Sequence, residues 1–233
     1  MRYIKDQDII NNYLEKIKLK KYDKKEDYIY LESLKNYCIS GGLKDEYGQE
    51  KNYIFAKDGK ITKYFISTMN DDRYKWSHRI MLKDGLNLTC ACNGSIEDMI
   101  RKEVHYLEKL KKYKYFPKLY KYDIYQQFII MDFCYFTLDD LKNKRKIDIP
   151  NNYKEQLKEI SDIFIKENIY HSDLNLANIC IRHGIITIID FGCVQRLSIL
   201  NKNKNFKIKY KSNFEELNSI FRDYISNNQI KLV

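Results

Sequence analysis

Apolar residues recur along this chain in two rhythms, and the changes of rhythm mark its parts. Over residues 6–20 the spacing is helical: Ile9, Ile10, Tyr13, Leu14 and Ile17 fall on one stripe, and Asp6 or Asp8 can cap it. From Tyr37 to Ser67 the pattern shortens to β-prone runs, YCIS, NYIFA and KITKYFIS, separated by Gly41-Gly42 and Asp58-Gly59. Asp-Gly between two such runs predicts a tight hairpin. Residues 71–94 are polar and mixed and predict no definite element. Helical spacing returns at 96–110, where Ile96, Met99, Ile100, Val104, Leu107 and Leu110 share a face.

Two strand-like runs follow, 118–124 and 127–133, and then TLDDL at 137–141 opens a helix with Thr137 as its cap. A helix over 153–167 carries Tyr153, Leu157, Ile160, Phe164 and Ile165 on its apolar face. Beyond it, ICI and IITIID read as two short strands joined at His183-Gly184. The last helix lies near 213–226, with Ser212 and Glu215 as a capping box and Phe214, Leu217, Ile220, Phe221 and Tyr224 inward.

Composition narrows the class. The 233 residues suit one domain or one two-lobed unit, and 44% hydrophobic residues are enough for a sizeable core. The 42 Lys and Arg against 32 Asp and Glu give a net charge of +10, which favours acidic partners without choosing among them. A solvated Lys-rich surface accounts for it better than a dedicated nucleic-acid site. The six Cys lack zinc-ligand spacing, since only Cys90 and Cys92 stand close, so reduced thiols in a cytosolic protein are expected. The start, MRYIKDQDII, turns polar at once and predicts no signal peptide, and no apolar run reaches membrane-spanning length.

The residues that carry chemistry lie in the last third. His171-Ser-Asp173-Leu-Asn-Leu-Ala-Asn178 is followed twelve positions after Asn178 by Asp190-Phe191-Gly192. Any one of these alone would be an Asx cap or a turn. Together, in the order helix, loop, short hairpin and strand end, they resemble the catalytic loop and the metal-binding Asp-Phe-Gly of the protein-kinase-like superfamily. The resemblance covers about residues 36–225 and is most specific over 171–192.

That resemblance implies an α+β fold of two lobes: a small antiparallel-sheet lobe at 36–132 and a reduced, mainly helical lobe at 133–233, after a helical extension at 1–35. ATP and Mg²⁺ are the implied cofactors, with ATP held between the lobes. Phosphoryl transfer needs positioning and charge neutralisation more than covalent work by the protein. Asp173 is then the base that orients the attacking hydroxyl, and Asn178 and Asp190 supply hard oxygens to the metal. Gly192 would turn the backbone sharply, Phe191 would pack inward and His171 would brace the loop.

Helix 96–110 resembles the small lobe's regulatory helix. Glu103, a carboxylate inside an apolar stripe, would be the partner of the phosphate-binding Lys, with a half-exposed Glu as the plain reading and Glu97 as the rival. Lys63, mid-strand after the hairpin, fits that Lys; Lys83 and Lys57 are the alternatives, and a solvent-facing strand Lys is the plain reading. Ile39-Ser-Gly41-Gly42 with Gly48 only loosely resembles a glycine-rich phosphate loop, so Gly41 and Gly42 stand between phosphate cradle and simple turn. Met131 would precede the adenine-binding hinge formed by Asp132, Phe133 and Cys134.

Ser172 occupies the place where many regulated kinases carry Arg, so a phosphorylated activation loop is not expected to switch this chain. No Ala-Pro-Glu motif follows, and only 41 residues lie beyond Gly192. The chain therefore looks like the compact, atypical members: small viral or bacterial kinases, the small kinases associated with tRNA modification, and lipopolysaccharide-type kinases. The expected activity is transfer of the γ-phosphate to a Ser or Thr of a protein in the cytoplasm, or the host cytoplasm for a viral protein. The Lys-rich segment 201–212 would suit an acidic substrate if it is more than a solvated loop. A phosphotransferase for sugars or small molecules and a scaffolding pseudokinase are the alternatives, and the sequence leaves the oligomeric state open.

Overall fold

Asp58 and Gly59 both adopt positive φ, 52° and 69°, the geometry of a type I′ turn. Lys57 is thereby set opposite Lys60, and the register between the two flanking strands is fixed. In the computed structural model the described residues are 7–18, 25–40, 52–65, 96–134, 137–141, 149–200 and 212–228. Gly41, Gly42, Gly48, Lys83 and the segment 201–211 lie outside them. The described residues of 1–74, 94–104 and 118–133 form one unit, and those of 105–117 and 134–233 form another.

The first unit is built on an antiparallel sheet of β1 (Cys38–Ser40), β2 (Tyr53–Lys57), β3 (Lys60–Tyr64), β4 (Leu119–Asp123) and β5 (Phe128–Asp132). Its order is β1-β2-β3-β5-β4, which makes β3 the central strand. Side chains alternate across a strand, and here the alternation sorts two layers. Tyr53, Phe55, Tyr64, Phe128 and Ile130 form one core with Ile9, Tyr13 and Ile17 of α1 (Gln7–Lys18) and with Leu31 of α2 (Lys25–Ser33). The Tyr13 hydroxyl donates to the Leu31 carbonyl at 2.5 Å, and the Tyr13 ring lies 4.7 Å from that of Phe55. Thr62 faces the same layer, its hydroxyl 2.9 Å from that of Tyr30. Lys63, the next residue, takes the other face, towards α3 (Ile96–Leu110).

Helix α2 was not legible as a helix. KEDYIYLES is mostly polar, and Ile29 is exposed while Leu31 is fully buried. The sheet contact, not an apolar stripe, selects the helical conformation here.

In the second unit α5 (Tyr153–Lys166) buries Leu157, Ile160 and Phe164 and stacks Tyr153 on Phe221 of α7 (Asn213–Asn228), with ring centroids 5.8 Å apart. A short helix α4 (Leu138–Leu141) precedes α5, and Thr137 makes a β-bridge to Cys180. The hairpin of β7 (Ile179–Arg182) and β8 (Ile185–Ile188) closes on His183 and Gly184, again both at positive φ. Gln156 grips that hairpin: its side-chain oxygen accepts from Ile186 N at 2.9 Å and its amide donates to Gly184 O at 2.8 Å. The β6 strand (Ile169–Tyr170) pairs with β9 (Gln195–Arg196), which leads into α6 (Leu197–Leu200).

Two residues expected inside are outside. Ile165 is 60% exposed and Phe214 36%. Ile165 follows Phe164 by one position, about 100° around the helix, which takes it off the buried stripe.

The Ser212–Glu215 capping box forms as the sequence indicates. Ser212 N donates to Glu215 Oε2 at 2.8 Å and Glu215 N donates to Ser212 Oγ at 3.2 Å.

Candidate active site

Lys63 lies mid-strand in β3, between Ile54 of β2 and Ile129 of β5. Its strand neighbours on both sides are apolar, and its ammonium reaches α3. Nζ stands 2.9 Å from Glu103 Oε2, and the two residues are 7% and 1% exposed. A charge taken that far from water is tolerable only when paired. The partner explains why a Glu interrupts the stripe of Ile100, Val104 and Leu107. Glu97, the rival acid, lies on the outer side of α3 with Arg101 at 2.5 Å. Lys57 points elsewhere, its ammonium 4.8 Å from the centroid of the Tyr37 ring.

The second set of residues sits in the loop between β6 and β7. Ser172 takes positive φ, 62°, which bends the chain sharply just before Asp173. The 3-10 turn Leu176–Asn178 then carries Asn178 back to Asp173. Asn178 Nδ2 donates to the Asp173 carbonyl and to Oδ2, each at 2.9 Å. Since the amide nitrogen is committed to Asp173, the oxygen Oδ1 is the end of Asn178 with lone pairs to offer a cation.

Asp190 is anchored to the same loop through its neighbour. Ile189 N donates to Asn178 O at 3.0 Å, and Ile189 O accepts from His171 Nε2 at 3.1 Å. Asp190 itself takes positive φ, 62°, and the chain turns again at Gly192, where Val194 N donates to Phe191 O at 3.4 Å. A Cβ on Gly192 would meet Asp190 Oδ1 at 3.4 Å, an ordinary contact. A left-handed Asp outside a tight hairpin is a strained conformation of the kind that gathers at functional sites.

Phe191 is fully buried. It meets the His171 ring at 5.3 Å and the Phe116 ring at 5.8 Å, and Phe116 in turn meets Phe164 at 5.6 Å. Within this aromatic cluster burial drives the His171 pKa down to about 4, against the opposing pull of the Asp190 charge and the Ile189 carbonyl. The imidazole is therefore neutral at ordinary pH. Because a carbonyl can only accept, the proton sits on Nε2, and Nδ1 meets no hydrogen-bond partner among the described residues.

One residue that the sequence reading passed over locks this loop from α7. Asn213, almost fully buried, accepts from His171 N at 3.2 Å and donates to Ile169 O at 3.0 Å. Its amide thus fixes the backbone on both sides of Tyr170. In sequence it stands beside the capping box, and the only clue is a polar residue at the buried start of an amphipathic helix.

Met131 and Asp132 end β5, and Phe133 and Cys134, the other two expected hinge residues, follow it. Met131 is buried, and the Asp132 carboxylate accepts from Lys118 N at 3.0 Å and from the Tyr120 hydroxyl at 2.8 Å. Phe133 N donates to Gly59 O at 3.2 Å. The Cys134 carbonyl accepts from the Cys180 thiol at 3.6 Å.

A sheet that buries a Lys–Glu pair, and a helical unit whose loop joins Asp, Asn and a second Asp, define a two-lobed α+β protein of the kinase-like class. Comparison with known families agrees. The model of the RIO domain matches residues 60–227, most of the chain, and the chain belongs to that family, a branch of the protein-kinase-like superfamily. It is also similar to the dual specificity protein kinase TTK of Mus musculus, 31% identical over 118 residues, which are 48% of this chain and 14% of that relative. The chain thus spans only a small part of that relative's length.

Proposed function

We propose that the chain is an ATP- and Mg²⁺-dependent kinase that transfers the γ-phosphate to a Ser or Thr hydroxyl of a protein. The observation that carries this reading is the Asp173–Asn178 contact, in which the Asn178 amide nitrogen holds the carboxylate and its oxygen is left to face a cation. Asp173 orients the acceptor hydroxyl and takes its proton as the oxygen attacks phosphorus. ADP leaves with the electrons of the broken P–O bond.

Asn178 and Asp190 would hold Mg²⁺, which neutralises phosphate charge when bound. One amide and one carboxylate are a sparse donor set, and they suit an ion that keeps water and phosphate oxygens in its shell. Among the described residues there is no cluster of three or more His, Cys, Asp or Glu, so a metal held by protein alone is not favoured there. Lys63, kept straight by Glu103, pairs with the phosphates. Met131, Asp132, Phe133 and Cys134 border the adenine, and Gly41 and Gly42 cover the phosphates in this reading.

The protein acts in the cytoplasm under this proposal. Cys38, Cys134, Cys180 and Cys193 are thiols, which suits a reducing compartment. No described helix is long and apolar enough to cross a membrane.

Radiolabelled ATP offered with Mg²⁺ to a panel of protein and small-molecule acceptors tests the reading. Label on Ser or Thr of a protein is expected, together with its loss in Asp173→Asn and a rise in melting temperature of the wild type with Mg²⁺ and ATP. Label confined to small alcohols, or full turnover by Asp173→Asn, refutes it.

A further inference from the structure

Asp173 is held by two amides, and the second has no role so far. Asn178 takes one carboxylate oxygen, Oδ2. Asn175 Nδ2 donates to the other, Oδ1, at 2.9 Å and also to the Asp173 carbonyl at 3.2 Å. The far end of the same side chain is occupied too. Asn175 Oδ1 accepts from Ala177 N at 2.9 Å and so caps the 3-10 turn that carries Asn178. The chain is extended at Asn175, φ −155° and ψ 173°, as a capping residue requires.

An isolated carboxylate on a half-buried loop rotates about its Cα–Cβ and Cβ–Cγ bonds. One donor on one oxygen stops the first rotation but leaves the carboxylate plane loose. Two donors on opposite oxygens fix the plane as well. The cap is what lets a short side chain reach back across one residue, because Ala177 N pins the amide oxygen and thereby aims the nitrogen.

We infer that Asn175 is a positioning residue for phosphoryl transfer, fixing the plane of the Asp173 carboxylate through the oxygen that Asn178 leaves to it. This inference rests on the assignment of Asp173 as the base. Asn175 itself contacts no substrate in this account. It acts through Asp173, so its loss should slow the chemical step and spare nucleotide binding.

Capping and positioning separate cleanly in two variants. Ser caps a turn as well as Asn does, but its hydroxyl is too short to reach Asp173 Oδ1. Asp also caps, and it sets a carboxylate against a carboxylate. If Asn175 positions the base, kcat falls about tenfold to a hundredfold in Asn175→Ser and further in Asn175→Asp. KM for ATP and the urea midpoint should stay close to those of the wild type in Asn175→Ser, which adds no charge. If Asn175 only caps the turn, both variants keep the wild-type kcat, and that result overturns the inference while leaving the kinase reading intact. A fall in kcat matched by an equal rise in KM for ATP also overturns it, because the loop would then have lost its general shape. A wild-type chain that phosphorylates no acceptor removes the base assignment and this inference with it.

Discussion

Asn213 and His171 are 42 positions apart in sequence, and the side-chain oxygen of the first accepts the backbone N–H of the second at 3.2 Å. The same side chain donates to Ile169 O, so one amide ties the start of α7 to the strand that leads into the Asp173 loop. Asn213→Ala should cost about 1–3 kcal/mol, because two buried backbone groups lose their partner. Asn213→Asp keeps the acceptor and loses the donor. Hydrogen exchange checks both: the His171 amide should lose protection in the Ala variant and retain it in the Asp variant.

The Lys63–Glu103 pair predicts an asymmetry between single and double replacement. Removing one partner leaves the other buried and uncompensated, at about 3–5 kcal/mol. Lys63→Met and Glu103→Leu should each lower the urea midpoint sharply, while the chain carrying both should recover much of the loss. Additive losses in the double variant would show that the pair is not coupled.

His171 links stability to pH. Burial lowers its pKa from 6.5 to about 4, so between those values the unfolded chain binds more protons than the folded one. Its contribution to stability is present in full above pH 6.5 and is lost as pH falls through about 4, a difference of about 3 kcal/mol. Urea midpoints of wild type and His171→Leu, measured from pH 4 to 7, should converge at the acid end and separate towards neutrality.

Tyr13 fills the layer between α1 and the sheet, 1% exposed, against Tyr53, Phe55 and Tyr64. Tyr13→Ala should cost about 3–5 kcal/mol. Tyr13→Phe, which keeps the ring and deletes the bond to Leu31 O, should cost about 1 kcal/mol. Denaturant unfolding distinguishes the two, and equal losses would mean that the hydroxyl and not the ring anchors the helix.

What could be read from the sequence follows from the kind of force at each position. Asp173, Asn178 and Asp190 stand out because the chemistry proposed for them would demand fixed types at fixed spacing. Glu103 betrayed itself by standing in an apolar stripe, and the structure brings it to Lys63. The turns at Asp58-Gly59 and His183-Gly184 were legible because their conformation is local. Helix α2, the two hydrogen bonds of Asn213 and the two-ended grip of Asn175 were not, since each depends on a partner that the neighbouring residues do not announce. The positive φ of Asp190 was not legible either, since the sequence offers Gly192, where the chain does turn, as the easier residue for it.

The matched family region begins at Lys60, the first residue of β3. Yet β2 pairs with β3 along its whole length, and α1 and α2 cover one side of the sheet. A recombinant fragment cut at that boundary would bare the hydrogen-bonding edge of β3 and strip Tyr64, Phe128 and Ile130 of their cover. Such an open, apolar edge invites strand addition from neighbouring copies and hence precipitation. The segment that identifies this chain is therefore shorter than the segment that can stand in water by itself.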